Sequence, residues 1–307
     1  MTTQLKHLLG ISDLSKDDIQ DLLDRADYYS KALADGKWNR DTLKDKIILT
    51  LFFEASTRTL TSFVIAAQRL GAQIVTWNPD TSSLSKGESF IDTIDTLNAM
   101  RPDAIIMRHS EYGAPGFVAA RADCPVINGG DSWREHPTQA LLDALTLIHH
   151  FGSLNGLSVA IIGDIAHSRV AASNMILLRR FGVNVRVIAP QTLMPEKLPA
   201  DGVERYNNLA EGLKGVNAVM SIRLQKERMQ KGLIESDSAY FNEFGLKRAV
   251  VDAHCPDAVI LDPGPLIRGV HISDDIAEDP KRSLILKQVA NGIPTRMAVL
   301  DRLISSQ

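Results

Sequence analysis

Only two cysteines, Cys124 and Cys255, occur in 307 residues. That is too few for a disulfide framework and fits a reducing cytoplasm. No apolar run is long enough to cross a bilayer. The opening residues, Met1-Thr2-Thr3-Gln4-Leu5-Lys6-His7, lack the apolar core of a secretory signal. The eight histidines are scattered. The adjacent pair His149-His150 would point to different faces of a helix, so the sequence indicates no metal site. A net charge of −3 supplies no general attraction for nucleic acid. Any anion site must arise from local clustering of Arg and Lys. No internal repeat and no low-complexity tract interrupts the chain.

What is present describes a globular protein: 44% hydrophobic and 23% charged residues, in a length suited to two domains. Ser15 reads as an N-cap, with Asp17 and Asp18 in the first turn and Ile19, Leu22, Leu23 and Ala26 as the buried stripe. Strand-like runs at 46–53, 72–77, 103–107 and 125–128 alternate with helical segments near 58–70, 88–99 and 114–122. The amphipathic stretch from His136 to Phe151 ends in Gly152-Ser153-Leu154-Asn155-Gly156, a turn-rich break. A second series follows. It has a buried strand at 159–164, a helix over 168–181 and a strand over 183–189. Weaker strands are expected near 217–221, 248–252 and 258–261. A final helix, about 280–305, carries Leu284, Leu286, Val289, Met297, Leu300 and Leu303.

This βαβα rhythm predicts an α/β protein with two doubly wound parallel-sheet domains of similar size. The first comprises residues 1–135 with the C-terminal helix 286–307. The second comprises 136–285, joined through the 136–151 helix. Open α/β sheets bind ligands beyond the carboxyl ends of their strands. The active site is therefore expected in the cleft between the domains.

The stretch Phe52-Phe53-Glu54-Ala55-Ser56-Thr57-Arg58-Thr59 falls where a strand ends and a helix begins. The first N–H groups of a helix lack intrahelical partners, and the helix dipole there favours negative charge. Three hydroxyls and a guanidinium at that point make a phosphate cradle without the glycines of a P-loop. A capped helix would need a single hydroxyl. Other strand ends carry related groups: Arg108, His136-Pro137-Thr138-Gln139, Ser168-Arg169, the segment from Arg223 to Arg228, and Asp262-Pro263-Gly264-Pro265. Each alone reads as an ordinary cap or turn. Together with Lys86, in a polar loop, they place Arg58, Arg108, Arg169 and Arg223 at element ends able to converge. The pattern points to a polyanionic ligand, such as a phosphate plus a dicarboxylate.

Phe53-x-x-Ser56-Thr57-Arg58-Thr59, followed by His136-Pro137-Thr138-Gln139, resembles the paired signatures of the aspartate/ornithine carbamoyltransferase family over essentially the whole chain. Lys86-Gly87-Glu88, Arg223-x-Gln225-x-Glu227-Arg228 and Pro263-Gly264-Pro265 resemble the aspartate branch. His254-Cys255-Pro256-Asp257 is only superficially like the His-Cys-Leu-Pro motif of the ornithine branch, so Cys255 reads as a packed thiol. The charge pattern agrees, because guanidinium groups suit a dicarboxylate and repel the side-chain amine of ornithine.

The resemblance implies a reaction and a set of roles. Ser56, Thr57, Arg58, Thr59 and Arg108 would hold the phosphate of carbamoyl phosphate. Thr59, Arg108 and His136 would donate to its carbonyl oxygen, while Gln139 and the carbonyls of Pro263 and Gly264 would accept from its NH₂. Arg169, Arg223, Gln225 and Lys86 would hold L-aspartate. Arg58, Thr59, Arg108 and His136 are thus the expected catalytic groups. No metal or organic cofactor is called for. The implied assembly is a cytoplasmic homotrimer, with Ser83 and Lys86 reaching a neighbouring subunit's site. Regulatory chains or dihydroorotase-like chains are further partners that the resemblance admits. Nothing implies nucleic acid or membrane as a partner.

Departures from the family pattern fall in two places. Leu60 and Val64 stand where an Arg and a Glu are usual, at i and i+4 on one helix face. Losing both members of such a pair can be nearly neutral. Asp262 and Ile267 stand where a His and an Asn are usual. An Asp beside an anion site adds repulsion unless it faces away or pairs with a base such as Arg268. Two alternatives stay open at this point: a carbamoyltransferase for another amino acid, and a catalytically silent homologue acting as a scaffold.

Overall fold

The computed structural model describes residues 5–230 and 232–305. The first four residues of the N-terminal reading, and the last two of the expected 286–307 helix, lie outside it. The elements, in order, are α1 (Lys16–Asp35), β1 (Ile47–Phe52), α2 (Arg58–Arg69), β2 (Gln73–Trp77), α3 (Phe90–Ala99), β3 (Ala104–His109), α4 (Ala114–Ala119), β4 (Val126–Asp131) and α5 (Pro137–Phe151). They continue as β5 (Ser158–Gly163), α6 (Arg169–Arg180), β6 (Asn184–Ile188), β7 (Glu204–Tyr206), α7 (Leu209–Leu213), β8 (Ala218–Ile222), α8 (Asp237–Phe244), α9 (Arg248–His254), β9 (Val259–Leu261), α10 (Asp274–Ala277) and α11 (Ile285–Ile304).

The chain forms two compact units, Met1–Leu145 with Ala290–Gln307 and Thr146–Val289. The chain passes from one to the other inside α5 and again inside α11. The first unit holds a four-stranded sheet in the order β2-β1-β3-β4, and the second a five-stranded sheet in the order β7-β6-β5-β8-β9. Every strand pair is parallel. This is the two-sheet α/β architecture that the alternating pattern predicts.

Local chemistry explains the element boundaries. Ser15 Oγ accepts the Asp18 N–H at 3.0 Å while Asp18 accepts the Ser15 N–H at 3.1 Å, a reciprocal capping box that starts α1. Gly36, at φ 69°, ends α1. One face of the first sheet packs Leu49, Leu51, Ile105 and Met107 against Ile94, Leu97 and Val118 of α3 and α4. The end of α11 is tied to α1 by Arg25–Asp301 at 3.3 Å and Arg302–Asp21 at 2.9 Å. In the second sheet Val159, Ala160, Ile161 and Ile162 are buried without interruption, as a strand covered on both faces requires. Both cysteines are buried, and burial pushes both thiols up to about 11. Cys255 is accordingly a packed thiol.

Two expectations need correction, and one strand had no counterpart in the sequence reading. Residues 248–252 belong to helix α9, not to a strand. The β-branched pair Val250-Val251 gave the strand signal, but only Val251 of this helix is buried, and β9 takes the place beside β8. Strand β7 carried no hydrophobic signal, since Glu204 and Arg205 occupy an exposed sheet edge. The apolar stripe of the last helix is also narrower than expected. Leu284, Met297, Leu300 and Leu303 are buried, but Leu286 is 81% exposed.

Candidate active site: polar groups at the switch points of the two sheets

In the first sheet β1 pairs with β2 on one side and β3 on the other, so the winding reverses between β1 and β3. Phe52, at the end of β1, is in register with Arg108 at the end of β3, and the Phe53 N–H donates to the Arg108 carbonyl at 2.9 Å. The Ser56–Thr59 turn and Arg108 therefore leave neighbouring strands at one switch point. Thr57 occupies the N-cap position of α2, yet its side chain makes no capping hydrogen bond. The hydroxyl cluster is thus not spent on closing the helix. Thr57 and Arg58 are exposed, Ser56 is half-buried and Thr59 is buried.

Thr59 Oγ1 lies 3.3 Å from His136 Nε2, inside the protein. His136 immediately precedes α5, and its carbonyl accepts the Gln139 N–H at 3.0 Å. Its neighbour Glu135 is clamped. The Glu135 carboxylate accepts from the Ile11 N–H at 2.6 Å and from Ser12 Oγ at 2.6 Å. The Glu135 carbonyl accepts from Asn128 Nδ2 at 3.1 Å. Arg108 donates through Nε to Glu54 at 3.1 Å, with both side chains largely buried. Gln139 donates through Nε2 to Asp143 at 2.9 Å. The first unit thus brings Arg108 to the cradle's strand end and Thr59 to His136, with Gln139 one turn further on. Ser83 and Lys86 are placed differently, on an exposed 3-10 turn (Ser83–Lys86) ended by Gly87 at φ 94°. They line a cavity of about 430 Å³ with Val75, Trp77 and Met100, and none of the cradle groups lines it.

In the second sheet the winding reverses between β5 and β8. Gly163, at the end of β5, faces Ile222 at the end of β8. A Cβ on Gly163 would lie 1.9 Å from the Ile222 carbonyl oxygen, and its φ is 135°, so only glycine fits. Asp164 follows, fully buried. It accepts from the Gln225 N–H at 3.1 Å and lies 2.7 Å from His167 Nδ1. Ser168 caps α6, its Oγ accepting the Ala171 N–H at 3.1 Å, and buried Arg169 is the first residue of that helix. Arg223 grips Glu227 with both terminal nitrogens, one of them at 3.0 Å. Burial alone would raise the Glu227 pKa, but the Arg223 hydrogen bonds, a backbone hydrogen bond and the charges of Arg223 and Arg228 together outweigh it and hold the carboxyl below its usual range. Gln225 donates to the Arg223 carbonyl at 3.2 Å and accepts from Arg228 at 3.3 Å. Arg169, Arg223 and Gln225 thus share the β5/β8 switch point.

Pro263 and Gly264 follow β9 in the second unit. Asp262, beside them, pairs with His271 at 2.8 Å and accepts the Gly264 N–H at 2.6 Å. Its base is thus His271 and not Arg268, the example the sequence offered. Arg268 instead pairs with Asp274 at 2.8 Å and Glu278 at 2.9 Å, in the open. Among the described residues no cluster of three or more His, Cys, Asp or Glu is placed to hold a metal ion, and no helix is long and apolar enough to cross a membrane.

Sequence reasoning missed Asp164, Asp143, Glu54 and His271. Asp143 had a readable signal, because it sits four residues after Gln139 on one helix face. Asp164 had one too, as an acid directly at a strand end. His271 had none, since a loop carries it back to Asp262.

Residues 6–149 match the carbamoyl-P binding domain of aspartate/ornithine carbamoyltransferase, and residues 155–303 match its Asp/Orn binding domain. The chain belongs to the aspartate/ornithine carbamoyltransferase family. It is 50% identical over 297 residues to the aspartate carbamoyltransferase catalytic subunit of Granulibacter bethesdensis, covering 97% of this chain and 94% of that one. Aspartate transcarbamoylase from Trypanosoma cruzi, solved with carbamoyl phosphate and aspartate, superposes with a TM-score of 0.88 at 29% identity, covering 97% of each chain. Ornithine carbamoyltransferase from Pyrococcus furiosus reaches 0.89 at 26% identity, covering 98% of each. The fold is therefore shared by both branches of the carbamoyltransferase family. Sequence identity separates them, and it favours the aspartate branch.

Proposed function

We propose that this chain transfers the carbamoyl group of carbamoyl phosphate to the amine of L-aspartate. The products are N-carbamoyl-L-aspartate and phosphate, and the reaction belongs to pyrimidine biosynthesis in the cytoplasm. The observation that carries the reading is the pairing of Thr59 with His136 beside a helix start whose N-cap hydroxyl is not used as a cap. In this reading Ser56, Thr57, Arg58, Thr59 and Arg108 hold the phosphate at the end of the α2 dipole. Thr59, Arg108 and His136 donate to the carbonyl oxygen, where negative charge develops as the amine attacks. Gln139, with the Pro263 and Gly264 carbonyls, accepts from the NH₂. Arg169, Arg223, Gln225 and Lys86 hold the two carboxylates of aspartate. The amine nitrogen bonds to the carbonyl carbon, the carbon–oxygen bond to phosphate breaks, and the departing phosphate takes the amine proton. The catalytic chains assemble as a homotrimer, in which Ser83 and Lys86 serve a neighbour.

The test is a carbamoyl-transfer assay with aspartate and ornithine side by side. Product with aspartate alone supports the reading. Product with ornithine, or none with either, overturns it. A bisubstrate mimic bearing a phosphonate and two carboxylates should bind far more tightly than phosphate alone.

A further inference from the structure

Two buried side chains stand behind Gln139. Asp143 is fully buried on α5 and accepts from Gln139 Nε2 at 2.9 Å. Arg296, on the part of α11 within the same unit, is 3% exposed. Its Nη1 donates to the Gly292 carbonyl at 3.0 Å, and its guanidinium carbon lies 5.0 Å from the centre of the Phe63 ring. Gly292 makes room for it, since a Cβ there would come within 2.7 Å of Nη1. Burial lowers the Arg296 pKa to about 9, and the charge of Asp143 acts in the opposite direction. As opposite charges, the two side chains each favour the other's ionised form.

An ionised carboxylate has no proton to donate. It takes the NH₂ end of the Gln139 amide and turns the carbonyl oxygen the other way. A neutral partner such as an amide could bond to either end and leave the choice open. The polarity of Gln139 is therefore set by a charge buried behind it.

We infer that Asp143 is a positioning residue that aims the Gln139 carbonyl oxygen at the NH₂ of carbamoyl phosphate. Asp143 thereby determines selectivity for a ligand that can donate at that position. The inference rests on the assignment of Gln139 to the carbamoyl NH₂. Acetyl phosphate is the discriminating probe, because a methyl group of similar size replaces the NH₂.

The experiment measures dissociation constants of carbamoyl phosphate and acetyl phosphate on the full chain. The variants are Asp143→Asn, the double variant Asp143→Leu with Arg296→Met, and Gln139→Ala. The double variant replaces the buried charges with apolar groups, a change that often preserves stability. It keeps the question answerable if Asp143→Asn does not fold. Loss of a hydrogen bond of ordinary strength should weaken carbamoyl phosphate by about tenfold in Gln139→Ala, and by between about twofold and tenfold in the two Asp143 variants, where the amide is free to turn. Acetyl phosphate should change by less than about twofold. Loss of selectivity in Gln139→Ala, with selectivity kept in both Asp143 variants, overturns the positioning role and leaves the Gln139 assignment standing. Unchanged selectivity in Gln139→Ala overturns that assignment and the inference with it. Equal weakening of both ligands in the Asp143 variants reports only general damage, and it also overturns the inference.

Discussion

His271 Nε2 lies 2.8 Å from Asp262 Oδ2, and each side chain is 1% exposed. The acid stands where the family usually has a histidine, and this chain's histidine comes nine residues later. The Asp262 carboxylate also accepts the Gly264 N–H at 2.6 Å, and the Asp262 N–H donates to Gln288 at 2.8 Å. The departure from the family pattern thus comes with its own partner. Asp262 is bound into the base of the Pro263–Gly264 loop.

That arrangement makes a stability prediction. Asp262→Ala or His271→Ala leaves a buried polar partner without its match and should cost about 3 kcal/mol. The exchange Asp262→His with His271→Asp keeps both groups and should recover most of that loss. Urea unfolding of the parent, Asp262→His, His271→Asp and the exchanged pair, read as a double-mutant cycle, checks it. Additive losses in the exchanged variant would show that the two side chains are not coupled.

The cradle predicts a change in rate with little change in fold. Arg58 is exposed, so Arg58→Ala should move stability by no more than about 0.5 kcal/mol. Its kcat/KM for carbamoyl phosphate should fall by roughly 10² to 10³, the range for losing one preorganised donor. Thr59→Val removes the hydroxyl beside His136 at nearly constant volume and should lower kcat by a comparable factor. Steady-state kinetics alongside an unfolding curve decide the matter. A near-normal rate for Arg58→Ala would remove the phosphate assignment.

Arg223 is held by Glu227 through two hydrogen bonds, so its guanidinium plane is fixed before any ligand arrives. Glu227→Gln should keep the shape, weaken the grip and raise the KM for aspartate by about tenfold, while the KM for carbamoyl phosphate stays near its original value. Initial-rate measurements varying each substrate in turn separate the two. Equal rises in both constants would place Arg223 outside an aspartate site.

Asp279 offers a test in acid. Burial alone would raise its pKa, but hydrogen bonds from the Lys281 N–H and from the Arg282 and Arg248 guanidiniums overcome it and hold the carboxyl far below its usual range. A carboxyl depressed in the folded state adds stability above its unfolded pKa, near 3.9, and that contribution fades as pH falls below it. Asp279→Asn should therefore be less stable than the parent at neutral pH, and the gap should narrow as pH falls from about 5 to about 3. Unfolding midpoints across that range test the sign. A gap that widens in acid would contradict it.

How much could be read in advance depended on where each signal lay. Long apolar strands such as Val159–Ile162 announced themselves by composition, and the Ser15 box by two residues three apart. The switch-point groups Ser56–Thr59, Arg108, Arg169 and Arg223 were legible because each directly follows or ends a strand or opens a helix. The short edge strand Glu204–Tyr206 was silent, being stabilised by its neighbour rather than by its own side chains. Partnerships made by tertiary folding, His271 with Asp262 and Arg296 over the Phe63 ring, leave no periodic trace. The charge environment behind the ligand groups therefore became visible only in three dimensions.

The exposed turn carrying Ser83 and Lys86 tests the proposed trimer. Both side chains face solvent on a turn whose cavity excludes the cradle groups, which is how a contribution to a neighbour would look within one chain. An Arg58→Ala chain and a Lys86→Ala chain should each be nearly inactive alone. If Lys86 serves the next subunit, a mixed trimer of either composition contains one site with both residues intact, so about one third of its sites should work. The two variants, differently tagged, would be unfolded and refolded together, and the mixed species isolated through both tags. Activity near one third of the parent per trimer supports sharing. If mixed trimers form and stay inactive, Lys86 acts within its own chain or not at all.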